Sequence, residues 1–169
     1  SLLGLVITIE LFMPMFVSLI APGFKSDPEK FILATDLTRI TFPFILFISL
    51  ASFFSAILNS HNKFAAASAA PIILNLVLII ILLCATYFDD YLVIYMSYGV
   101  SIAGFIQMIF LILTLKKIYK PQFRVNLNID SKTKSFFKKL LPSIFSSGVT
   151  QINILIGTII ASFQAGAVS

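Results

Sequence analysis

The stretch from Arg39 to Asn75, RITFPFILFISLASFFSAILNSHNKFAAASAAPIILN, decides the fold. It holds an apolar run of membrane-spanning length, a short basic hinge at His61–Lys63 and the start of a second run. A simple lipid anchor needs only apolar length, about 20 residues at a rise of about 1.5 Å each. Here Pro43, Ser49, Ser52, Asn59 and Pro71 occupy places where an anchor would carry leucine. Such residues point to helices that pack on one another, or border a polar interior, inside a membrane bundle.

The rest of the chain reads the same way. Of 169 residues, 59% are hydrophobic and 11% charged, with a mean hydropathy of +1.02. Soluble domains carry roughly 25% charged residues, so the composition is that of an integral membrane protein. Five segments reach spanning length: roughly 1–22, 39–58, 66–88, 91–115 and 140–163. Membrane β-strands alternate apolar and polar residues over about ten positions. Runs such as Ile72–Leu83 do not alternate. The expected fold is all-α, with five transmembrane helices.

The single cysteine, Cys84, lies in an apolar run and cannot form a disulfide within the chain. It reads as a small buried hydrophobe. The net charge of +5 raises the question of nucleic acid, but its placement answers it. Eight basic residues fall between Lys116 and Lys139, beside membrane segments, where positive charge reports topology. No nucleic-acid partner is expected. The chain is apolar from residue 2 and finishes at Gly166–Ser169 without a polar tail. Both ends read as cut, so an internal piece of a longer, transporter-sized protein is expected.

Five spans place loops alternately on two sides. One side carries the charge-mixed loop 23–36 and the acidic pair Asp89–Asp90; the other carries loop 59–65 and the basic stretch 116–139. The positive-inside rule makes the second pair cytoplasmic and the first pair external. Within loop 23–36, Ser26 or Asp27 can cap a helix, Pro28 suits its first position, and Glu29 favours its positive end. A short outer-surface helix feeding the second span follows. Residues 116–139 read either as a linker between two sub-bundles, with an interfacial helix around Phe136–Phe137, or as a solvated basic loop.

Helical spacing sorts the polar residues into stripes. Span two gives Ser49, Ser52, Ala56 and Asn59; span four gives Ser97, Ser101, Gly104 and Gln107. Both fit close helix packing with hydrogen bonds across the interface. Span five has Ser147, Gln151, Thr158 and Ser162 on one line, and Ser146, Thr150, Asn153 and Gly157 beside it. That arc is wider than packing requires, which makes Gln151 and Asn153 candidates for the border of a hydrated cavity.

Glu10 lies about 11 residues, or about 16 Å of straight helix, from the outer end of span one. An acidic group there costs about 2.5–3.5 kcal/mol on insertion scales and should face protein or water. Pro14 cannot donate to Glu10's carbonyl, so the helix should kink there. Two readings stand: a broken-helix site that couples transport, or a paired glutamate that only positions the span. Arg39 reads as an anchor at the outer rim, and Pro43, by freeing Arg39's carbonyl, as a bend. Pro71 and Asn75 share one face of span three, as a kink or as cavity lining. His61 is a loop residue at the cytoplasmic rim. No Cys–His cluster, phosphate loop or zinc-protease pair is present, so neither enzyme activity nor a cofactor is expected.

The motifs Leu37–Phe44 (LTRITFPF), Ala56–Ser60 (AILNS) followed by Lys63–Phe64, and Ala70–Asn75 (APIILN) together resemble the MurJ family, also called MviN, of bacterial lipid II flippases. Ala21–Phe24 (APGF) and Gln151–Ser162 add to the resemblance, which covers essentially the whole chain. It implies an inner-membrane protein of the MATE-like exporter superfamily with about fourteen helices in two lobes. By alternating access, such a protein carries undecaprenyl-pyrophosphate-linked peptidoglycan precursor outward. Residues 1–115 would then be N-lobe helices, 116–139 the cytoplasmic inter-lobe linker, and 140–169 the first helix of the C-lobe. The family's pyrophosphate-binding arginines lie outside this chain, so none is carried over. Gly157 stands where relatives often have a more polar residue, which weakens an ion site there. A drug/cation antiporter or polysaccharide-unit flippase of the same architecture, and a non-transporting membrane scaffold, are the alternatives.

Overall fold

The structure, a computed structural model, describes residues 2–86, 92–118 and 131–163, with only some of the side chains between 131 and 146. The described residues form helices and short turns: α1 (Leu2–Leu11), α2 (Met13–Ile20), a 3-10 turn (Pro22–Ser26), α3 (Pro28–Thr41), α4 (Phe44–Ser60), α5 (Phe64–Ala85), α6 (Leu92–Ile118) and α7 (Ser131–Ser162). The pair Asp89–Asp90 and linker residues 119–130 lie outside the described residues.

The first apolar segment is not one straight helix. α1 and α2 meet at 88° around Phe12. At the break the Phe12 N–H is shared between the carbonyls of Thr8 (3.2 Å) and Ile9 (3.1 Å). Pro14, in the first turn of α2, has no N–H to continue the ladder. A 3-10 turn then leads to α3, whose N-cap is Asp27: its carboxylate accepts from the Lys30 N–H at 3.1 Å. Ser26, the other candidate cap, instead donates to the Gly23 carbonyl at 2.8 Å.

α3 runs into α4 with only Phe42 and Pro43 between them, and Pro43 keeps helical angles (φ −57°, ψ −22°). The combined Pro28–Ser60 helix is 33 residues, about 50 Å. That exceeds a hydrocarbon core of about 30 Å, so the expected span 39–58 is only part of a longer rod. The rod ends in a Schellman turn: Lys63 N–H donates to Leu58 O and Asn62 N–H to Asn59 O. Asn62 takes φ 59°, a left-handed conformation that asparagine tolerates better than most residues.

α6 lies along both α4 and α5. One core joins Ala51, Leu58, Ala67, Ala70, Leu111 and Leu115; a second joins Val6, Met13, Val17 and Phe42 under the α1–α2 bend. Small residues bring α6 close to its neighbours. A Cβ on Gly104 would sit 2.5 Å from the Phe44 ring, and one on Gly99 would sit 2.9 Å from Ile81. Since Leu58 and Leu115 share a core, Lys63 and Lys116–Lys117 lie at one end of the bundle, and the 3-10 turn lies at the other.

Among the described residues, three helices are long and apolar enough to cross a membrane: Pro28–Ser60, Phe64–Ala85 and Leu92–Ile118. The bent α1–α2 pair makes a fourth if it counts as one span. α7 is helical from Ser131, inside the stretch read as linker, and its apolar part among the described residues is Ser147–Ser162. At 16 residues that stretch is shorter than a full crossing needs, so the described residues carry three, or up to four, membrane-length helices of the five expected. Cys84 is exposed, which corrects its reading as buried: it belongs to the outward face of α5 with Ile80 and Leu83.

Candidate functional site

The break between α1 and α2 brings together residues far apart in sequence. Glu10 sits one residue before the end of α1, and Arg39 sits in the last turn of α3. Arg39 Nε lies 3.7 Å from Glu10 Oε2. The guanidinium side chain is about half exposed, whereas Glu10 is largely covered. The other carboxylate oxygen, Oε1, is buried and accepts no hydrogen bond among the described residues.

Proline chemistry places the pair. Pro14 follows the break on one side, and Pro43 follows Arg39 by four residues on the other. A proline N cannot donate, so each leaves a carbonyl short of its helical partner. Nearby, Ser101 of α6 donates its hydroxyl to the Ile40 carbonyl at 2.6 Å, tying α6 to the α3–α4 junction. Packing under the bend is completed by Phe16 and Phe42, whose rings meet edge-on at 5.6 Å.

Two spaces adjoin the break. A cavity of about 440 Å³ follows α1 and α2, lined by Thr8, Phe12, Phe16, Leu19 and Lys25 among others. A second, of about 230 Å³, lies between α2 and α3 and is bordered by Pro14, Thr35, Asp36 and Arg39. Arg39 thus faces Glu10 while lining an open space. A guanidinium in that position can hold a carboxylate with one nitrogen and still present further N–H donors to the open space.

The straight-helix count that put Glu10 about 16 Å from the outer end does not hold across an 88° bend. Glu10 shares a level with Arg39 instead. Their pairing had a signal in the sequence: one acidic and one basic side chain, each beside a proline, in neighbouring apolar segments. Spacing along the chain could not say that the two segments cross there.

The remaining candidates do not join this cluster. Gln107 is buried in α6 at 4% exposure, and its Oε1 has no hydrogen-bond partner among the described residues. Asn59 is exposed at the end of α4, and Pro71 and Asn75 are exposed on α5. Gln151 and Asn153 are exposed on α7, and nothing lies within 4 Å of where a Cβ on Gly157 would be. Ser146 has no described side chain. Among the described residues no group of three or more His, Cys, Asp or Glu could hold a metal ion.

The profile of one family, described as lipid II flippase MurJ, matches residues 1–169. A protein of Rickettsia prowazekii named probable lipid II flippase MurJ is 38% identical over 174 residues, covering 100% of this chain and 33% of that protein. A Rhizobium meliloti protein of the same name is 39% identical, covering 99% and 32%. The Burkholderia cenocepacia lipid II flippase MurJ is 33% identical, covering 89% and 30%. The chain spans about a third of the length of these curated relatives.

Proposed function

This chain belongs to the lipid II flippase MurJ family, and we propose that it works as part of a transporter moving lipid-linked peptidoglycan precursor across the bacterial inner membrane. The observation that carries the proposal is the family match over the whole chain. The drug/cation exporter alternative shares the architecture, but the relatives' names point to lipid II.

In this reading the α1–α2 break is a pivot in the wall of a transport path. The substrate carries a pyrophosphate, a polar headgroup and a long isoprenoid chain, so a path for it must change shape along its length. A broken helix held by one ion pair can do so at lower cost than a straight, fully packed one. Glu10 serves as a coupling or positioning group, its pairing with Arg39 made and broken as the pivot moves. Gln151 and Asn153 of α7 border the hydrated side of the path. The protein is a transporter rather than an enzyme, and it needs no cofactor.

Residues 1–115 would then form N-lobe helices, 116–139 an inter-lobe segment and α7 the opening helix of a second lobe, in a fold of about fourteen helices. Loops 23–36 and 89–90 would face the periplasm, and loops 59–65 and 116–139 the cytoplasm. The grouping of Lys63 with Lys116–Lys117 at one end of the bundle supports this orientation.

The test is lipid II translocation by the full-length protein in liposomes, with rescue of a strain depleted of its own flippase. Wild-type protein should translocate and rescue; failure of both would remove the flippase reading. Glu10→Gln, which keeps shape and loses charge, should slow translocation about tenfold at equal membrane level. Unchanged translocation in that variant would take Glu10 out of the mechanism and leave the family function standing.

A further inference from the structure

Two helices that meet at 88° cannot both run along the membrane normal, so the α1–α2 break makes a corner. The cavity of about 440 Å³ lies along that corner. Every residue lining it belongs to α1, Phe12, α2 or the 3-10 turn, so no helix of the α4–α6 core closes it. Phe12, Met15 and Leu19 on its wall are between 60% and 74% exposed. In a membrane protein, side chains so exposed and so apolar meet lipid rather than water.

The walls specify what the corner can hold. Its hydroxyls are already committed to their own helices: Thr8 Oγ1 donates to the Gly4 carbonyl at 2.8 Å, and Ser18 Oγ to the Met15 carbonyl at 2.8 Å. The rest of the wall, apart from one residue, is apolar. Such a space stays dry and takes an apolar guest. The exception is Lys25, the single charge on the wall, which makes no ion pair among the described residues. Its neighbours do not compensate it. The Asp27 carboxylate accepts from the Lys30 N–H as the cap of α3, and the Lys30 ammonium lies over the Phe24 ring at 5.8 Å. The guest is therefore apolar for most of its length and anionic at one end.

Size and position narrow it further. About 440 Å³ lies in the lower half of the range, about 300–1,000 Å³, of pockets that hold one drug-sized molecule. That suits a single acyl chain and is too small for the long isoprenoid chain of a lipid-linked precursor. Lys25 belongs to the 3-10 turn, at the end of the bundle opposite Lys63, where headgroups lie.

We propose that the α1–α2 corner binds one anionic phospholipid from the leaflet at the 3-10-turn end. One acyl chain lies along Phe12, Met15 and Leu19. The phosphate sits on the Lys25 ammonium, whose aliphatic stem leads from the apolar wall to the headgroup level. The site does not depend on what the transporter moves, and its test does not read transport.

The test places full-length protein in phosphatidylcholine nanodiscs holding a small fraction of phosphatidylglycerol with a photoreactive diazirine on one acyl chain. After irradiation, labelled peptides are located by mass spectrometry. Labelling is expected on the peptide carrying Phe12–Leu19, at least threefold above that from the matching phosphatidylcholine probe, and unlabelled phosphatidylglycerol should compete it away. Lys25→Gln should lower it to the phosphatidylcholine level, and Lys25→Arg should retain it. Thr8→Phe, which puts a ring into the cavity, should remove it. Should that variant fail to insert, the two Lys25 variants decide alone, because Lys25 is exposed and its replacement disturbs no packing. Equal labelling by the two probes, or labelling unmoved by Lys25→Gln, overturns the proposal and leaves ordinary bilayer contact. An unlabelled peptide overturns it as well, since another segment of the full-length protein then fills the corner. Labelling displaced by lipid II but not by phosphatidylglycerol overturns it in favour of the precursor's own chain.

Discussion

α6 and α7 carry the same kind of stripe and meet opposite fates. Ser97, Ser101, Gly104 and Gln107 on α6 read in sequence much like Ser147, Gln151, Thr158 and Ser162 on α7. In the structure the first stripe is largely buried: Ser101 bonds to α3, Gly104 is pressed by Phe44, and Gln107 is enclosed. On the second, Ser147, Gln151 and Thr158 stay exposed and Ser162 alone is buried. A small-residue stripe therefore states that close approach is possible. It does not state that a partner is there. In a membrane, where lipid is as apolar as leucine, that partner is chosen by shape and hydrogen bonds rather than by hydrophobic force.

The sharpest way to break this contrast is to fill both stripes. Gly104→Leu places a branched chain against the Phe44 ring and should cost about 3 kcal/mol, at the upper end for overpacking. It would be read as a fall in the melting temperature of full-length protein in detergent. A loss as small as that of an exposed site would mean that α6 is not packed as described.

Ser101→Ala tests the polar half of the same seam. It removes one bond of 2.6 Å to Ile40 and should cost about 1 kcal/mol in the same assay. An unchanged melting temperature would say that water replaces the hydroxyl.

The Glu10–Arg39 pair should sit lower still. A double-mutant cycle with Glu10→Gln and Arg39→Gln should give a coupling of about 0.5 kcal/mol, because the contact is single, 3.7 Å long and half open to solvent. Coupling well above 1 kcal/mol would make the pair a structural rivet rather than a movable contact. Last, Gly157→Leu on α7 meets nothing within 4 Å among the described residues, so these contacts alone predict a change below about 0.5 kcal/mol. A large loss would reveal a partner for α7 and erase the contrast with α6.

How much could be read beforehand follows from the range of each interaction. The interruption near Pro14, the helix start at Asp27 and the turn at His61–Lys63 depend on groups within four residues of one another. Proline geometry, capping and left-handed asparagine act over that range, so the chain states them directly. The Glu10–Arg39 pair joins residues 29 apart in sequence, and the Gly23–Ser162 contact joins residues 139 apart. Spacing marks the residues as unusual but cannot say which apolar faces cross. Asn62 belongs to the same local class, since asparagine is the non-glycine residue type that most readily takes the left-handed position closing such a turn.

By itself the sequence determined that this is a helical membrane protein, where most of its helices lie, and which family it belongs to. Those follow from apolar length, local backbone chemistry and short motifs. Only the tertiary structure decided that the first helix turns through 88°, that Glu10 faces Arg39, and that one glycine-bearing stripe is buried while the other stays largely exposed. Each of these depends on the shape of a second surface brought within a few ångströms, and no single stretch of chain encodes its partner.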